Sequence, residues 1–284
     1  MIVMKCISCN NDIFKKYADD SNLDLPVFCC KKCGLFVTGN SESEIVQKIE
    51  DLYKKKYWDS QNSEFSIDSE YSDIMGQGKK RDFLSQFAYC KPHLQNKKTV
   101  LEIGAGIGAA TFWLENKGYD VTGIEPDARN VELINKKLKS AKLIQGFIEN
   151  LDISGKYQMI WMSHVLEHLV RPDTFLTKIK NNLDENGIFF IEVPNSEHEP
   201  TLFASINENP HVYHFSKKSL TNIVEKAGYT VISCDYFRPA SIFEGGIKKI
   251  LKNHTKKYPY YPRILTDNKL GRDLRILLKK EKKK

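Results

Sequence analysis

Two stretches of the sequence combine glycines with a carboxylate. The first runs from Glu102 to Gly108 and reads Glu-Ile-Gly-Ala-Gly-Ile-Gly. Gly104 and Gly106 carry no Cβ, so the chain can turn sharply there and bring its backbone against a ligand. The second stretch, Gly-Ile-Glu-Pro, places Glu125 at the end of the next apolar run, where a carboxylate can accept hydrogen bonds from both hydroxyls of a ribose. Together the two stretches predict a site for an adenosine-containing molecule.

The glycines alone leave the kind of nucleotide open. Ala109 stands where the dinucleotide-binding fingerprint has its third glycine or an alanine, and the acid Glu125 follows 16 residues later, so the glycines also fit this looser fingerprint. Glu102 separates the alternatives, because its charge would repel a pyrophosphate but can address the amino group of an amino-acid moiety. A glycine turn without a chemical role is the remaining interpretation, and the paired acid Glu125 argues against it.

Five of the seven cysteines lie in residues 1–40, hereafter the cysteine module. Two C-x-x-C pairs separated by 20 residues can surround Zn²⁺ tetrahedrally, and Gly34 relieves crowding beside the second pair. So small a module lacks a core of its own, and the metal would supply its folding energy. Free thiols are the alternative, and Cys29 competes with Cys30 as a ligand. The predicted zinc ligands are Cys6, Cys9, Cys30 and Cys33.

Another cluster of reactive side chains lies in the stretch Glu-Asn-Pro-His-Val-Tyr-His-Phe-Ser, which begins at residue 208. An imidazole with a pKa near its ordinary value of about 6.5 suits a general base at neutral pH. We predict that His211 or His214 removes a proton from the reacting group and that Glu208 orients it. For each of these residues, anchoring of the loop is the alternative.

Between residues 99 and 236, short apolar runs alternate with amphipathic stretches, and a polar loop follows the fifth run. This pattern predicts an α/β fold, a parallel sheet with helices on both faces. Asp127 and Ser216 are the predicted N-caps of two helices. The predicted strands are Thr99–Ile103, Tyr119–Ile124, Lys142–Gln145, Tyr157–Met162, Ile188–Val193 and Thr230–Tyr236, and the predicted helices are Gly108–Lys117, Asp127–Ser140, Thr174–Leu183 and Ser216–Ala227.

A block reading His-Val-Leu-Glu-His-Leu follows the fourth predicted strand. Together with LEIGAGIG and GIEPD it resembles the class I S-adenosylmethionine-dependent methyltransferases, over roughly residues 77–236. The resemblance implies a Rossmann-like sheet and S-adenosyl-L-methionine as cofactor. In the family the glycine turn holds the methionine part, the strand-end acid binds the ribose, and the next loop contacts the adenine. The implied cofactor-binding residues are Glu102, Gly104, Ala105, Gly106, Glu125, Pro126, Phe147, Ile148, Ser163 and His164.

The resemblance is incomplete around the adenine. Many family members carry an acid at the position of Phe147, and its absence leaves the adenine amino group to the backbone and to Glu149. Ser163 and His164 correspond to the floor of the cofactor pocket. For His164 and His168 we favour roles in pocket shape and helix capping over direct catalysis.

A methyltransferase domain joined to a cysteine module is similar to bacterial enzymes that methylate sugars, nucleotide-sugars and related metabolites. In these a His-Phe-Ser element closes over the substrate. We therefore expect O-methylation of a sugar, nucleotide-sugar or phosphorylated small metabolite, as in surface polysaccharide biosynthesis. The enzyme alternatives are an RNA-modifying methyltransferase that grips RNA with the cysteine module and basic C-terminal residues, and a sugar C-methyltransferase. A cofactor sensor without activity is the third class, and the acid–base residues of 194–216 argue against it.

Charge and composition limit the partners. The net charge is +7, but residues 247–284 hold 14 Lys and Arg against 3 Asp and Glu, so the rest of the chain is mildly acidic. We expect a solvated basic tail with Lys279–Lys284 disordered; binding of nucleic acid, an anionic membrane or a phosphorylated substrate is the alternative. No run of about 18 apolar residues and no secretory signal occurs, which favours the cytoplasm. The predicted segments are 1–40 (zinc-binding), 41–76 (connecting, helical), 77–246 (methyltransferase) and 247–284 (basic), with a small-molecule acceptor as partner and nucleic acid disfavoured.

Overall fold

A computed structural model describes residues 5–54, 82–94, 98–244 and 259–281. Most of the predicted connecting segment, residues 55–76, and the last three lysines of the basic segment lie outside the described residues. Among the helices of the described ranges, none combines the length and the apolar composition that crossing a bilayer requires.

The cysteine module folds as a small antiparallel sheet followed by a helix. Ser41 caps the start of this helix, since its Oγ accepts the backbone N–H of Glu44 (3.3 Å), and the Glu44 carboxylate accepts from the backbone N–H of Asn40 (2.8 Å). The elements are β1 (Phe14–Ala18), β2 (Val27–Cys30), β3 (Phe36–Thr38) and α1 (Glu42–Lys54).

The rest of the described chain alternates strands and helices, as the periodicity of its apolar residues predicts. These elements are α2 (Asp82–Cys90), β4 (Thr99–Ile103), α3 (Ala109–Asn116), β5 (Asp120–Glu125), α4 (Ala128–Asn135), β6 (Lys142–Gln145), β7 (Tyr157–Ser163), α5 (Pro172–Ile179), β8 (Leu183–Pro194), α6 (Glu199–Asn207), β9 (Tyr213–His214), α7 (Lys217–Lys226), β10 (Tyr229–Pro239), β11 (Arg263–Thr266) and β12 (Asp273–Lys280).

The large sheet has eight strands in the order β11, β10, β12, β8, β7, β4, β5, β6. The five strands from β8 to β6 are parallel neighbours, whereas β12 runs antiparallel to both β8 and β10. The chain winds outward from β4 to β6 and then returns to β7 on the other side of β4. The carboxyl ends of β4 and β7 therefore flank the switch point, which is where open α/β sheets bind ligands.

Both faces of this sheet are buried. Along β7, Ile160 and Met162 belong to one hydrophobic cluster, and the alternating Met159 and Trp161 belong to a second. Residues of α5 and α7 join the first cluster, and residues of α2 and α3 join the second. The predicted α/β sheet with helices on both faces is confirmed.

Local capping signals are also confirmed. The Asp127 side chain accepts a hydrogen bond from the backbone N–H of Arg129 (2.9 Å) at the start of α4, and Ser216 forms a capping box with Ser219 at the start of α7. Helix α4 ends at Asn135, earlier than predicted, because the Asn135 side chain pairs with the backbone of Leu143 in β6.

Two expectations about the chain after β8 are wrong. The expected polar loop contains α6, whose first turn holds Pro200 and is capped by the His198 side chain, which accepts from the backbone N–H of Thr201 (3.3 Å). The expected basic tail contains β12, and Lys279 and Lys280 belong to this strand.

The apolar side chains of β12 explain its place in the sheet. Leu274, Ile276 and Leu278 are buried in the cluster on one face and Leu277 in the cluster on the other. A strand buried on both faces reads as a nearly continuous apolar run, and burial of this run outweighs the solvation of the flanking lysines. The boundaries of the four predicted segments remain predictions, but part of the basic segment is an interior strand.

The cysteine module is joined to the larger domain by backbone pairing. β9 is the fourth strand of the module's sheet, with Phe36 opposite His214 and Val37 opposite Tyr213. Ser216 Oγ donates to the backbone oxygen of Cys33 (2.9 Å). The module and the loop that contains the predicted catalytic residues therefore form a continuous structure.

Candidate active site

A cavity of about 910 Å³ opens at the carboxyl ends of the parallel strands. Its walls come from the glycine turn after β4, the end of β5, residues 146–150 after β6, residues 164–171 after β7, and one face of α1. Predicted cofactor residues that line it are Gly104, Gly106, Glu125, Pro126, Phe147, Ile148 and His164; Glu102, Ala105 and Ser163 lie outside its lining.

The glycine turn has the conformation that its composition predicts. Gly104 and Gly106 have φ of +72° and +55°, and a Cβ on Gly104 would lie 2.3 Å from Cγ2 of Val165. The backbone N–H groups of Gly104 and Ala105 both donate to the carbonyl oxygen of Ile124 (2.9 and 3.0 Å). The turn is thereby held against β5, and only glycine fits at position 104.

Glu102 lies behind this turn. Its side chain is buried and accepts a hydrogen bond from Thr111 Oγ1 (2.5 Å). Burial raises the pKa of Glu102 to about 7, opposed by the hydrogen bond from Thr111 and assisted by the nearby charge of Glu125. Glu102 is therefore a carboxyl whose charge responds to pH close to neutrality.

Glu125 has the position expected of a ribose-binding acid. It is buried, and its two oxygens accept the backbone N–H groups of Gly106 (2.7 Å) and Asp127 (3.1 Å). Burial raises its pKa, and the two N–H donors partly offset this effect. Each carboxylate oxygen keeps a further lone pair, so the residue both fixes the glycine turn and can accept hydroxyl groups.

The opposite wall offers an apolar surface and few polar groups. Phe147 is 41% exposed at the cavity, next to the buried Ile148. The Glu149 carboxylate accepts the backbone N–H of Arg171 (3.0 Å), and burial raises its pKa. A flat aromatic face beside an apolar side chain suits an adenine ring.

His164 follows β7 with a φ of +53°, which is uncommon outside glycine. Its Nδ1 lies 3.3 Å from Glu167 Oε1 and its Nε2 lies 3.4 Å from Glu192 Oε1. Burial opposes the charged form, but the pairing of His164 with these two carboxylates raises its pKa well above the ordinary value. His164 is thus a cation at the cavity edge, with a geometry that its two acids impose.

A buried polar network that the sequence analysis missed supports this corner. Ser163 Oγ donates to Glu192 Oε1 (3.1 Å) and accepts from Gln86 Nε2 (2.9 Å). Glu192 also pairs with Arg275 of β12, and both side chains are almost completely buried. The signal that could have revealed the pair is a charged residue in the middle of each of two apolar runs, since such residues are rarely buried unless they are paired.

The structure places none of the three predicted catalytic side chains in the cavity lining. His214 is buried, with Nδ1 2.7 Å from Ser205 Oγ and Nε2 3.2 Å from Thr38 Oγ1. His211 is buried beside it, and burial lowers the pKa of both to about 3. Glu208 is exposed at the C-terminal end of α6.

His168 is the imidazole nearest to His211 that also lines the cavity. The two rings meet edge to face with centroids 4.5 Å apart. His168 Nδ1 lies 3.2 Å from the backbone oxygen of Pro210, and burial lowers its pKa, so the ring is neutral at pH 7. The contact between His168 and His211 could not be predicted from the sequence, because the two residues are 43 positions apart.

The two C-x-x-C pairs converge as predicted. All four sulfur atoms lie within 4.8 Å of one another; Cys6 and Cys33 are 3.5 Å apart, and Cys9 and Cys30 are 3.6 Å apart. Two thiolates bound about 2.3 Å from a tetrahedral zinc ion are about 3.8 Å apart, so the donor set fits this metal. Cys29 is not part of the group.

Comparison with known proteins identifies the family. A model of the methyltransferase domain matches residues 75–234, more than half of the chain, and the chain belongs to this family. The strand order and the cavity at the switch point agree with this assignment. The chain therefore contains a methyltransferase domain.

Individual relatives are distant and matched in part. The chain is 27% identical over 115 residues to a ubiquinone biosynthesis O-methyltransferase of Rickettsia prowazekii, covering 39% of this chain and 46% of that protein. It is 29% identical over 157 residues to a tRNA U34 carboxymethyltransferase of Actinobacillus succinogenes, covering 50% and 49%. The chain thus spans about half the length of the curated relatives it matches.

Solved structures support the fold. The 1,6-didemethyltoxoflavin-N1-methyltransferase of Burkholderia thailandensis, with S-adenosylhomocysteine bound, superposes with a TM-score of 0.56 at 13% identity, covering 89% of this chain and 98% of that one. At 13% identity the similarity shows a shared fold and does not indicate which acceptor this chain uses.

Proposed function

We propose that this methyltransferase methylates a hydroxyl oxygen of a small metabolite, with a sugar or nucleotide-sugar as the preferred acceptor class. The observation that carries the proposal is the shape of the cavity. At about 910 Å³ it lies at the upper end of the usual range for small-molecule sites, which leaves room for a donor and a second small molecule. Helix α1 forms part of its wall.

The residues around the glycine turn indicate which part of the pocket binds the methyl donor. We assign the ribose hydroxyls to Glu125, the adenine to Phe147 and Ile148, and the methionine part of S-adenosylmethionine to the glycine turn, behind which the charge of Glu102 attracts the amino group. Glu125 already presents oriented oxygens, and Phe147 presents an exposed ring to the cavity.

The acceptor half carries mixed charges. Glu42 and Glu50 of α1 lie in the cavity wall together with Arg171, whose Nη1 is 3.3 Å from both carboxylate oxygens of Glu42. Carboxylates that face a cavity are good acceptors for sugar hydroxyls and disfavour a phosphate. Among the acceptors considered from sequence, a neutral polyol is therefore favoured over a phosphorylated one.

An RNA acceptor is the second candidate, because one relative is a tRNA U34 carboxymethyltransferase. The described part of the basic C-terminal segment contributes two strands, β11 and β12, to the sheet. Arg275 is buried in its pair with Glu192, and Arg263 is paired with Asp82 and Asp273. These side chains are engaged within the protein and do not form a surface for phosphates.

We also propose that the four converging thiolates hold a structural zinc ion. Its coordination by four sulfurs leaves no position for a reacting group, which is typical of structural and not catalytic sites. The ion would fix the turns that position β3 and α1, and through them one wall of the pocket.

The acceptor can be identified by label transfer. The full-length protein is incubated with S-adenosylmethionine labelled in the methyl group and, separately, with a sugar and nucleotide-sugar fraction, a phosphorylated metabolite fraction and total RNA. Mass spectrometry should find the label on an oxygen of a species in the first fraction, and Glu125→Gln should transfer far less. Label only in RNA would establish the second candidate, and label on carbon would exclude the oxygen acceptor.

A further inference from the structure

Three ligand-type side chains meet beside the donor cavity, and none of them belongs to the four-cysteine group. Glu167 and His168 come from the turn after β7, and His211 comes from the loop after α6. One donor atom from each, a carboxylate oxygen and two imidazole nitrogens, lies within 4.8 Å of the others. This cluster of Glu167, His168 and His211 is hereafter the second metal cluster.

Glu167 is the side chain that most needs a partner. It is 1% exposed, and within the described residues neither of its oxygens accepts a hydrogen bond with acceptable geometry. Its nearest cation is His164, whose Nδ1 lies 3.3 Å from Oε1. Buried carboxylates are normally satisfied by several donors or by a metal ion, because burying the charge without them is costly. The second oxygen is left without a partner among these residues.

Both imidazoles are oriented in the way that metal ligands are. His168 Nδ1 is 3.2 Å from the backbone oxygen of Pro210, and His211 Nδ1 is 2.7 Å from Ser205 Oγ. A ring that donates its Nδ1 proton to a neighbour keeps a lone pair on Nε2, and an outer hydrogen bond of this kind accompanies nearly every histidine that binds a metal. The second metal cluster therefore offers two such nitrogens and one carboxylate.

We propose that the second metal cluster binds a divalent first-row transition metal. Two histidines and one carboxylate are a ligand set that leaves positions open, and it suits zinc, iron, cobalt, nickel or manganese. Ligand atoms about 2.1 Å from a tetrahedral ion are about 3.4 Å apart. Since the three donor atoms already lie within 4.8 Å of one another, side-chain rotations that move them by about 1 Å would complete the site. His168 lines the cavity, so an open position would face the bound acceptor.

A metal at this position gives the methyl transfer a way to activate its acceptor; this consequence, unlike the metal site itself, rests on the proposed function. A hydroxyl that binds the ion loses its proton to solvent more readily. Its oxygen then bonds to the methyl carbon, and the electron pair of the breaking carbon–sulfur bond goes to sulfur. The buried histidines would act as neutral ligands, and neither would have to reach the substrate itself.

The test uses the full-length protein, dialysed against a chelator that removes weakly bound metal, and Co²⁺ as the probe. Calorimetry and absorption spectroscopy should find one Co²⁺ bound per chain, with the weak bands of nitrogen and oxygen ligands and without thiolate charge-transfer bands. Glu167→Gln keeps the size of the side chain and should weaken Co²⁺ binding at least tenfold. His198→Gln, a histidine outside the cluster, should bind as the wild type does.

Three results would overturn the proposal: no Co²⁺ binding, binding with thiolate bands only, or equal affinity in Glu167→Gln. If circular dichroism finds Glu167→Gln unfolded, His168→Gln decides by the same criterion. S-adenosylhomocysteine binding and methyl transfer are measured on the same preparations. Full methyl transfer by the metal-free protein would show that the metal has no role in catalysis, and the proposed function would stand. Metal binding without any methyl transfer would support the metal site and contradict the proposed function.

Discussion

The burial of Glu102 makes donor binding depend on pH in a way that can be calculated. Its pKa in the free protein is raised by burial from 4.5 to about 7. Binding of a cationic amino group requires the ionised carboxylate. From a pKa of about 7, Glu102 is about nine-tenths protonated at pH 6 and about one-tenth protonated at pH 8. Binding of S-adenosylhomocysteine should therefore release close to one proton per chain at pH 6 and very few at pH 8.

Titration calorimetry in two buffers with different ionisation enthalpies measures this proton count directly. Glu102→Gln keeps the acceptor for Thr111 Oγ1 but cannot ionise, so its binding should release no proton from this position. The affinity of the variant should also be nearly independent of pH between 6 and 8, whereas that of the wild type should fall as the pH falls. An equal proton release in both proteins would refute the reasoning.

The raised pKa of Glu102 also affects stability: ionisation of this carboxyl favours donor binding but lowers the free energy of unfolding of the free protein. Since the folded-state pKa is raised, the favourable contribution of the protonated carboxyl is fully present below pH 4.5 and is lost as the pH rises through about 7. A shift from 4.5 to about 7 corresponds to roughly 3 kcal/mol. Urea unfolding of Glu102→Gln should therefore give a more stable free protein than the wild type at pH 8, by up to that amount. A less stable variant at pH 8 would contradict the burial argument.

Further predictions concern the metal ligands, the interior pair and the ribose acid. Cys30→Ser should lose zinc in metal analysis, whereas Cys29→Ser should retain it; equal retention would contradict the ligand assignment. Arg275→Met should lower the free energy of unfolding by about 3–5 kcal/mol, because it removes the guanidinium from a fully buried ion pair with Glu192. Lys279→Met on the same strand is the control, with a change below about 0.5 kcal/mol. Glu125→Gln should weaken S-adenosylhomocysteine binding roughly 30- to 100-fold, the equivalent of about 2–3 kcal/mol of hydrogen bonds to a charged group, and calorimetry finding less than a threefold change would exclude the ribose role.

The parts of the fold that could be predicted from the sequence depend on local signals. β4 and β6 have the predicted bounds, and Asp127 and Ser216 cap the predicted helices, because apolar runs and capping side chains act over a few residues. The glycine turn could be predicted for the same reason, since Gly104 and its neighbours determine the backbone there.

The parts that could not be predicted depend on contacts between distant segments. The run that contains Arg275 is an interior strand because its apolar side chains enter both hydrophobic clusters and because Glu192, 83 residues away, supplies the partner for its buried charge. The position of the imidazoles is a similar case. His211 and His214 have suitable chemistry for a base, but Ser205 and Thr38 hold them behind the cavity wall.

These long-range contacts also connect the cysteine module to the reaction site. The module's β3 pairs with β9, where Thr38 Oγ1 contacts His214 Nε2 (3.2 Å), and Ser205 contacts both His214 and His211. A displacement of β3 would therefore shift the hydrogen bond that orients His211. Glu102 and Glu125 belong to the opposite side of the cavity and are held by the sheet itself. The module thus supports the acceptor side of the pocket, and the donor side depends on the parallel strands, which is why the donor could be predicted from sequence and the acceptor could not.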